Sequence, residues 1–539
     1  MKGGFRQSMA WLHTWCGLWL GWLLFAIFLT GALSVFHEPI THWMQPERIT
    51  RTPAALDRPA ALAHAQRYLE QHAAGASHWD IELPGDEDYA MHLHVAGQEG
   101  PEIRLDPATG EVLPPARDSD GGRHFITFHY ELHGGMAGVW VVAFATMAML
   151  VAMVSGIVTH RRFFRDFFTF RPGKGPRSWL DAHNVLGVLA LPFLFAISYT
   201  GLIIWWPETM PAGIRVHYGG SEARFFSAVG RDGWLAPRAA PQPGAPAAMP
   251  PLAALLADAD RRLASLSHGD DGIGRVSVSN PGRTNAEATF SGAYRHESLA
   301  FAAARELRYD AATGAFLAAH AEDEMLGAGG TGAPAAMVAG SVMRTLHMVR
   351  FGGLTLRWLY FVGGLSGAAL IATGVLLFSL KRRARKPREF GGASLRVYGA
   401  IERLNVAAVA GLAAACAAFL WGNRLLPATL PERHEWEIAA FFAAWLAALA
   451  HACLRAPERA WPQQLATAAL LCLLLPVLNA ATTGWHLLRY AAHGDWRGAG
   501  VELGALGFGA MLLWAAARVR RKQAATIATA TPLANGEPS

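Results

Sequence analysis

Two apolar runs of helix length carry the same histidine and glycine pattern at matching positions. The run 181–201 has His183 near its start and a Thr-Gly pair at its end, and an earlier run repeats this from His13 to Gly31. The histidine and the closing glycine are 18 residues apart in both runs. A repeat of this length constrains the fold before any local argument, because each copy must adopt the same unit.

A second signature, His-x4-Gly-Gly, follows each run. It begins at His129 in the first copy and at His347 in the second, and both histidines lie 27 residues before a closing glycine, Gly156 or Gly374. We therefore interpret residues 1–160 and 181–380 as two copies of one unit.

The composition places these runs in a membrane. Hydrophobic residues make up 52% of the 539 residues, charged residues only 16%, and the mean hydropathy is +0.20. A helix needs about 20 apolar residues to cross a bilayer. Eight runs meet this length and predict spans near 15–36, 136–158, 184–206, 355–379, 401–421, 437–454, 465–488 and 501–517.

Basic residues concentrate in segments that follow the even-numbered spans. The segments His160–Arg177, Lys381–Arg388 and Arg518–Lys522 are rich in Lys and Arg. The positive-inside rule assigns them to the cytoplasm. We therefore expect an inner-membrane protein with cytoplasmic termini and with residues 38–128 and 207–346 outside the cytoplasm. The pI near 9.3 reflects these basic cytoplasmic segments and indicates no nucleic-acid partner.

Each long outer segment predicts the same small α+β domain, near 55–117 and near 250–320. In each, a helical pattern precedes short alternating strands, and both end in Asp-x-x-Thr-Gly, at Asp106 and at Asp310. Such a sequence favours a turn, since Asp bonds to the backbone two residues on and Gly takes positive φ. The duplication therefore includes these domains.

The remaining segments have no copy. Residues 161–180 and 381–394 are basic cytoplasmic loops, 395–522 predict an appended four-helix membrane domain, and 523–539 predict a disordered tail. The fold class is thus an α-helical integral membrane protein with about eight spans and two inserted α+β domains. Its four cysteines all lie in apolar spans, so no disulfide framework is expected.

The repeated elements resemble the PepSY-associated transmembrane family over about residues 8–385. That family includes iron-regulated inner-membrane proteins and ferric-siderophore reductases, so the resemblance implies a ferric siderophore or other ferric chelate as substrate. The last four spans lie outside the minimal family core.

Four histidines at matched positions predict cofactor ligands. Histidines in membrane spans are costly unless they line a site. The topology pairs His13 with His183 at the cytoplasmic end and His129 with His347 at the outer end. Facing imidazoles within a helix bundle suit six-coordinate iron. We therefore expect two b-type haems that form an electron path across the membrane.

Some assignments stay open. His133 lies one turn from His129 and is an alternative outer ligand, although Phe351 replaces it in the second copy; His160 is the reserve ligand at the cytoplasmic end. Guanidinium groups near the outer ends suit haem propionates or an anionic chelate. These belong to Arg123, Arg344, Arg350 and Arg357.

The sequence has no dinucleotide-binding glycine motif, Walker A motif or Cys-x-x-Cys pair. Electrons must therefore come from a separate donor, a quinol or a cytoplasmic reductase. The function predicted is ferric-chelate reduction. The alternative is a non-enzymatic transport or sensory protein whose small domains bind a peptide or chelate.

Overall fold

The computed structural model describes residues 4–49, 56–85, 89–97, 102–160, 171, 175–221, 224–225, 244–266, 272–292, 306–320, 335–349, 351–383 and 387–530. The chain forms two compact units. One comprises Met1–Pro46, Arg117–Leu202 and Arg357–Ser539, and the other Glu47–Ala116 and Ile203–Leu356. Most of the basic loop predicted at 161–180 lies outside the described residues.

Helices account for most of the chain. The main ones are α1 (Phe5–Trp19), α2 (Gly21–Ser34), α3 (Arg58–His72), α4 (Arg123–Glu131), α5 (Gly135–Thr159), α6 (Pro176–Ile204), α7 (Leu252–Leu266), α8 (Ala335–Met348), α9 (Gly353–Leu377), α10 (Ser394–Val406), α11 (Leu412–Leu425), α12 (Arg433–Leu454), α13 (Pro457–Thr483) and α14 (Trp496–Ala530). Shorter helical pieces are His37–Met44, Pro46–Arg48, Trp206–Thr209, Ala212–Tyr218, Gly391–Ala393 and Leu487–Ala492, with π-helical turns at Phe378–Arg382 and Ala407–Gly411.

The helices confirm a multi-pass membrane protein. Among the described residues, seven helices are long and apolar enough to cross a bilayer, and α1 with α2 make an eighth if the pair counts as one span. α10 and α11 count as one span, because the π-helical turn Ala407–Gly411 joins them into one helix.

The first span is bent, whereas the sequence predicted one unbroken helix over 15–36. α1 and α2 meet at an angle of 63° around Leu20. Leu20 has φ −104° and ψ −7°, at the margin of the right-handed helical region towards the bridge region. The next residue is Gly21, where a Cβ atom would lie 2.5 Å from Val375 of α9. The absence of a side chain there allows the bent helix to pack closely on α9.

The two inserted domains share one antiparallel sheet. Its strands are β1 (His78–Glu82), β2 (Met91–Val95), β3 (Ile103–Leu105), β4 (Ile273–Ser279), β5 (Glu287–Gly292), β6 (Glu306–Asp310) and β7 (Phe316–His320), in the order β3-β2-β1-β4-β5-β6-β7. The first strands of the two copies pair with each other, with Trp79 opposite Val278 and Ile81 opposite Val276. These four side chains are buried, so the two copies share one core.

Helices α3 and α7 cover this sheet. Ala61, Leu62 and Leu69 of α3 and Leu256 and Leu263 of α7 are buried in the shared core. Each helix has apolar residues three, four or seven apart on the side that faces the strands, which is the period of a half-buried helix.

Both Asp-x-x-Thr-Gly turns form as predicted. The Asp106 carboxylate accepts from the backbone N–H groups of Ala108 and Thr109, at 2.8 and 3.1 Å, and Asp310 does the same in the second copy. The closing glycines have φ of +74° and +77°, which a side chain disfavours.

The appended helices pack directly on the duplicated spans. The Trp22 indole N–H donates to Asn405 Oδ1 at 2.7 Å, and the Asn405 amide donates to Ser379 Oγ at 3.1 Å. Leu18, Phe378, Tyr398 and Ile401 form an apolar cluster beside these bonds. α14 continues to Ala530, eight residues into the predicted tail, and residues 531–539 lie outside the described residues.

Candidate functional site

An apolar cavity of about 530 Å³ lies between α1, α5, α6 and α9. Leucine, isoleucine, methionine and glycine residues make up most of its wall. Its polar and charged lining side chains are those of His13, Thr14, Thr159, His160, His183, Asn184, Lys381 and Arg382. Its volume and its few polar groups are typical of a site for a small molecule or cofactor.

His13 lies in α1 and is fixed by α5. Its Nδ1 atom lies 2.7 Å from the carbonyl oxygen of Ala152. A carbonyl oxygen only accepts hydrogen bonds, so Nδ1 is the protonated nitrogen and Nε2 keeps its lone pair. This is the tautomer that ligating histidines adopt when a backbone carbonyl orients them.

His183 lies in α6 and is fixed by α9 in the same way. Its Nδ1 is 3.0 Å from the carbonyl oxygen of Leu370 and 3.2 Å from Thr373 Oγ1. Leu370 precedes Gly374 by four residues, as Ala152 precedes Gly156. Among the described residues, no hydrogen-bond partner reaches the Nε2 atom of His13 or His183.

The two imidazoles are near each other. Their ring centroids are 6.3 Å apart and their planes differ by 67°. Two imidazoles that ligate one metal ion from opposite sides, each with a nitrogen–metal distance of about 2 Å, place their centroids about 6 Å apart. The separation of His13 and His183 therefore fits shared axial ligation of one haem iron.

Glycines leave space around the pair. No atom lies within 4 Å of a Cβ built on Gly17, and only Leu370 approaches one on Gly187, at 3.7 Å. Both glycines line the cavity, one helical turn after each histidine. Their missing side chains leave room for a flat group beside the helices.

His129 repeats this geometry elsewhere in the bundle. Its Nδ1 lies 2.8 Å from the carbonyl oxygen of Ile27, and Ile27 precedes Gly31 by four residues. Three of the four predicted ligands thus use one register of histidine, carbonyl and glycine.

Residues 10–382, more than half of the chain, match the protein family described as PepSY-associated TM region. The chain belongs to this family. It is also similar to an uncharacterized protein of Pseudomonas aeruginosa, PA4219, with 28% identity over 395 residues that cover 66% of this chain and 86% of the relative. The cavity, the bend at Leu20 and the fixed histidines all lie within the matched PepSY-associated TM region.

Two other residues predicted to bind a cofactor lie in the second compact unit. His347 and Arg344 belong to α8. The pairing of His347 with His129 stays a prediction. Arg350 lies outside the described residues.

His160 remains an alternative in this PepSY-associated TM protein. It caps α5, where its backbone N–H donates to Gly156 at 3.0 Å, and its side chain lines the same cavity as His13. The choice between the two as ligand stays open.

Two cations of the cavity wall were missed as site residues by sequence reasoning. Lys381 and Arg382 were counted only as topology signals, and the π-helical turn after α9 directs them to the cavity. Arg382 Nε donates to Glu389 at 2.6 Å, and its guanidinium carbon lies 5.1 Å from the Trp15 ring centre. Both cations line the same cavity as His13 and His183, and sequence spacing alone does not predict that they lie together.

His133 has a different partner from His129. Its Nε2 lies 3.0 Å from Nδ1 of His124, a residue that sequence reasoning passed over. Burial and then the neighbouring His133 lower the pKa of His124 to about 3, and burial lowers the pKa of His133. Both imidazoles are therefore neutral at physiological pH.

Proposed function

We propose that this chain is a di-haem b oxidoreductase of the bacterial inner membrane. It passes electrons from the cytoplasmic side or the quinol pool to an extracytoplasmic ferric siderophore or other ferric chelate. The observation that carries the proposal is the pair His13 and His183, whose centroids lie 6.3 Å apart beside an apolar cavity.

The chain's own residues have distinct tasks at this cavity. The carbonyl groups of Ala152 and Leu370 orient the two imidazoles, so that little motion is needed to hold iron. The apolar wall excludes water, and Lys381 and Arg382 supply positive charge for propionate carboxylates. Haem b, when bound, would supply one-electron transfer.

The second haem rests on the repeat. The carbonyl that contacts His129 lies four residues before a closing glycine, as do the carbonyls that contact His13 and His183. The second histidine proposed to hold this haem is His347. Arg344 and Arg350 are proposed to bind propionates or an anionic chelate. The basic segments support cytoplasmic termini, which puts this haem near the outer surface.

The substrate follows from the family resemblance and from coordination chemistry. Siderophores bind Fe(III) through hard oxygen ligands, which hold the larger and less charged Fe(II) less strongly. One-electron reduction would therefore release iron for uptake. The electron donor is a separate molecule, a quinol or a cytoplasmic reductase.

The test is spectroscopic and uses the purified full chain from cells supplied with haem. We expect a Soret band, two haems per chain and reduction of a ferric chelate, followed with a colorimetric Fe(II) trap. His13→Ala and His183→Ala should each remove the same haem, because one iron needs both imidazoles. His72→Ala is the control, since His72 is exposed on α3.

Two results would contradict the proposal. A preparation without a Soret band excludes haem and favours the transport or sensory alternative, in which the small domains bind peptide or chelate. If His13→Ala keeps two bis-histidine haems while His160→Ala loses one, His160 takes the place of His13.

A further inference from the structure

Asp120, His124 and His133 form a cluster apart from the cavity. One ligand atom from each lies within 4.8 Å of the other two, and His124 Nδ1 and His133 Nε2 are 3.0 Å apart. Ligand atoms on one tetrahedral cation, with bonds of about 2.0 to 2.2 Å, are about 3.4 Å from one another. To bond one cation, the two imidazole nitrogens would therefore separate by about 0.4 Å, and the Asp120 carboxylate would move towards them.

His124 is the buried member of the cluster. Its exposed fraction is 0%, and its Nε2 atom has no hydrogen-bond partner among the described residues. Nε2 would carry the ring proton of a neutral imidazole that ligates through Nδ1. Ligation through Nδ1 fits the side of the ring that faces His133.

Aromatic rings enclose the two imidazoles. Phe419 stacks on His124 with centroids 4.1 Å apart, and Phe441 contacts it edge-on at 4.6 Å. Phe442 lies edge-on to His133 at 6.0 Å. An apolar shell of this kind limits water access and strengthens the bonds of a cation to its ligands. Asp120 and His133 are only partly buried, which leaves a path for the cation to enter.

The backbone turns back to form the cluster. Residues nine apart on a continuous helix are about 13 Å apart along its axis. α4 instead ends with Leu132 at φ +56° and His133 at φ +54°, both left-handed. These two residues return His133 to the first turn of α4, where His124 lies.

The cluster is absent from the second copy of the repeat. The alignment that pairs His129 with His347 places Val338, Val342 and Phe351 opposite Asp120, His124 and His133. All three ligands are replaced by apolar residues together. The cluster is therefore separate from the duplicated histidines proposed to hold haem.

We propose that Asp120, His124 and His133 bind one divalent first-row transition cation, of the Fe(II) or Zn(II) class. Two imidazoles and one carboxylate are a ligand set that these cations accept, and three protein ligands leave coordination positions open to water or a further ligand. The proposal does not depend on haem or on reductase activity.

Zinc is the probe. The full chain, freed of its affinity tag and treated with chelator, is equilibrated with Zn²⁺, and bound zinc is counted by elemental mass spectrometry and titrated calorimetrically. We expect the native chain to hold one more Zn²⁺ than His133→Ala or Asp120→Asn, or the Kd to rise more than about tenfold in each. His72→Ala, an exposed histidine on α3, should bind zinc as the native chain does.

Haem content is measured on the same samples, and size-exclusion elution monitors folding. His133→Ala with unchanged haem and one zinc fewer supports the proposal. Equal zinc in the native chain, His133→Ala and Asp120→Asn overturns it. Loss of haem in His133→Ala also overturns it, because His133 is then an axial ligand.

Discussion

Gly156 and His13 are in contact where α5 meets α1: a Cβ atom on Gly156 would lie 3.0 Å from Cε1 of His13. The same relationship holds twice more. A Cβ atom on Gly374 would lie 3.2 Å from Cε1 of His183, and one on Gly31 would lie 2.6 Å from Cε1 and Nδ1 of His129. The closing glycines of the repeat therefore fix how close each imidazole lies to its neighbouring helix.

This contact predicts a graded effect of alanine. At 2.6 Å the imidazole must move, so Gly31→Ala should destabilise the protein by about 1 to 3 kcal/mol and remove the haem proposed at His129. Gly374→Ala meets a contact of 3.2 Å, which the His183 imidazole can relieve by a shift of a few tenths of an ångström, and should keep most of its haem. Haem per chain and thermal unfolding measure both effects. Gly504→Ala, with no atom within 4 Å of its Cβ, is the control; equal haem loss in Gly31→Ala and Gly374→Ala contradicts the argument.

A second prediction concerns charge at the cavity. Removing the cation in Arg382→Gln should disfavour the added electron and lower one haem midpoint potential by about 30 to 60 mV, which is about 0.7 to 1.4 kcal/mol for one electron. Arg383→Gln is a matched control, since Arg383 pairs with Glu402 at 2.9 Å and does not line the cavity. Redox titration followed at the Soret band measures the shift. Equal shifts in the two variants would assign the effect to net charge alone.

The third prediction separates His129 from His133. We expect His129→Ala and His347→Ala to remove the same haem, because each would lose one axial ligand of a shared iron. His133→Ala should keep both haems. Electron paramagnetic resonance of the oxidised protein distinguishes loss of a haem from loss of one ligand. If His133→Ala rather than His129→Ala abolishes this haem, the register of histidine, carbonyl and glycine has assigned the wrong ligand.

The fourth prediction concerns the sheet and pH. Glu102 lies 2.9 Å from Arg48 and 2.8 Å from His92. Burial alone would raise the pKa of Glu102, but the hydrogen bond from His92 and the charge of Arg48 lower it to about 2. A carboxyl with a lowered folded pKa stabilises the fold above its unfolded pKa, near 4.5, and this stability is lost as the pH falls towards 2.

Glu102→Gln should therefore destabilise the sheet by about 1 to 2 kcal/mol at pH 7, with allowance for solvent screening. The difference from the native chain should shrink between pH 4.5 and 2. Hydrogen exchange of β2 and β3, compared between the two proteins at each pH, measures it. Glu111→Gln is the control, since Glu111 is exposed beside the same sheet. A difference that stays constant down to pH 2 would show that charge is not the cause.

Much of the fold was predictable because it depends on local patterns. Apolar length identified the spans, short alternating segments indicated strands in both small domains, and Asp106 and Asp310 marked their turns. The repeat spacing also selected His13 and His183, which the structure brings together. No alternation predicts β7, because Phe316–His320 follows the turn directly and its five residues, two of them alanine, show no regular polar and apolar pattern.

The other features depend on packing between distant segments. No proline near Leu20 predicts the bend, which forms where Gly21 meets Val375 of another helix. The approach of His133 to His124 depends on the left-handed conformations of Leu132 and His133, which no local sequence pattern predicts because neither residue is glycine. The pairing of β1 with β4 requires the two copies to share one sheet, whereas periodicity describes each copy alone.

That shared sheet has a consequence for biosynthesis. Asp80 of β1 and Ser277 of β4 are 197 residues apart in the chain. At about 5 to 20 residues per second, the ribosome needs roughly 10 to 40 s to make this interval. During that time β1 is paired with β2 on one side only, and its other side is an open sheet edge, a template for aggregation. Maturation of the first copy must therefore wait for synthesis of the second, and a chain arrested between them would expose an adhesive edge to the quality-control machinery.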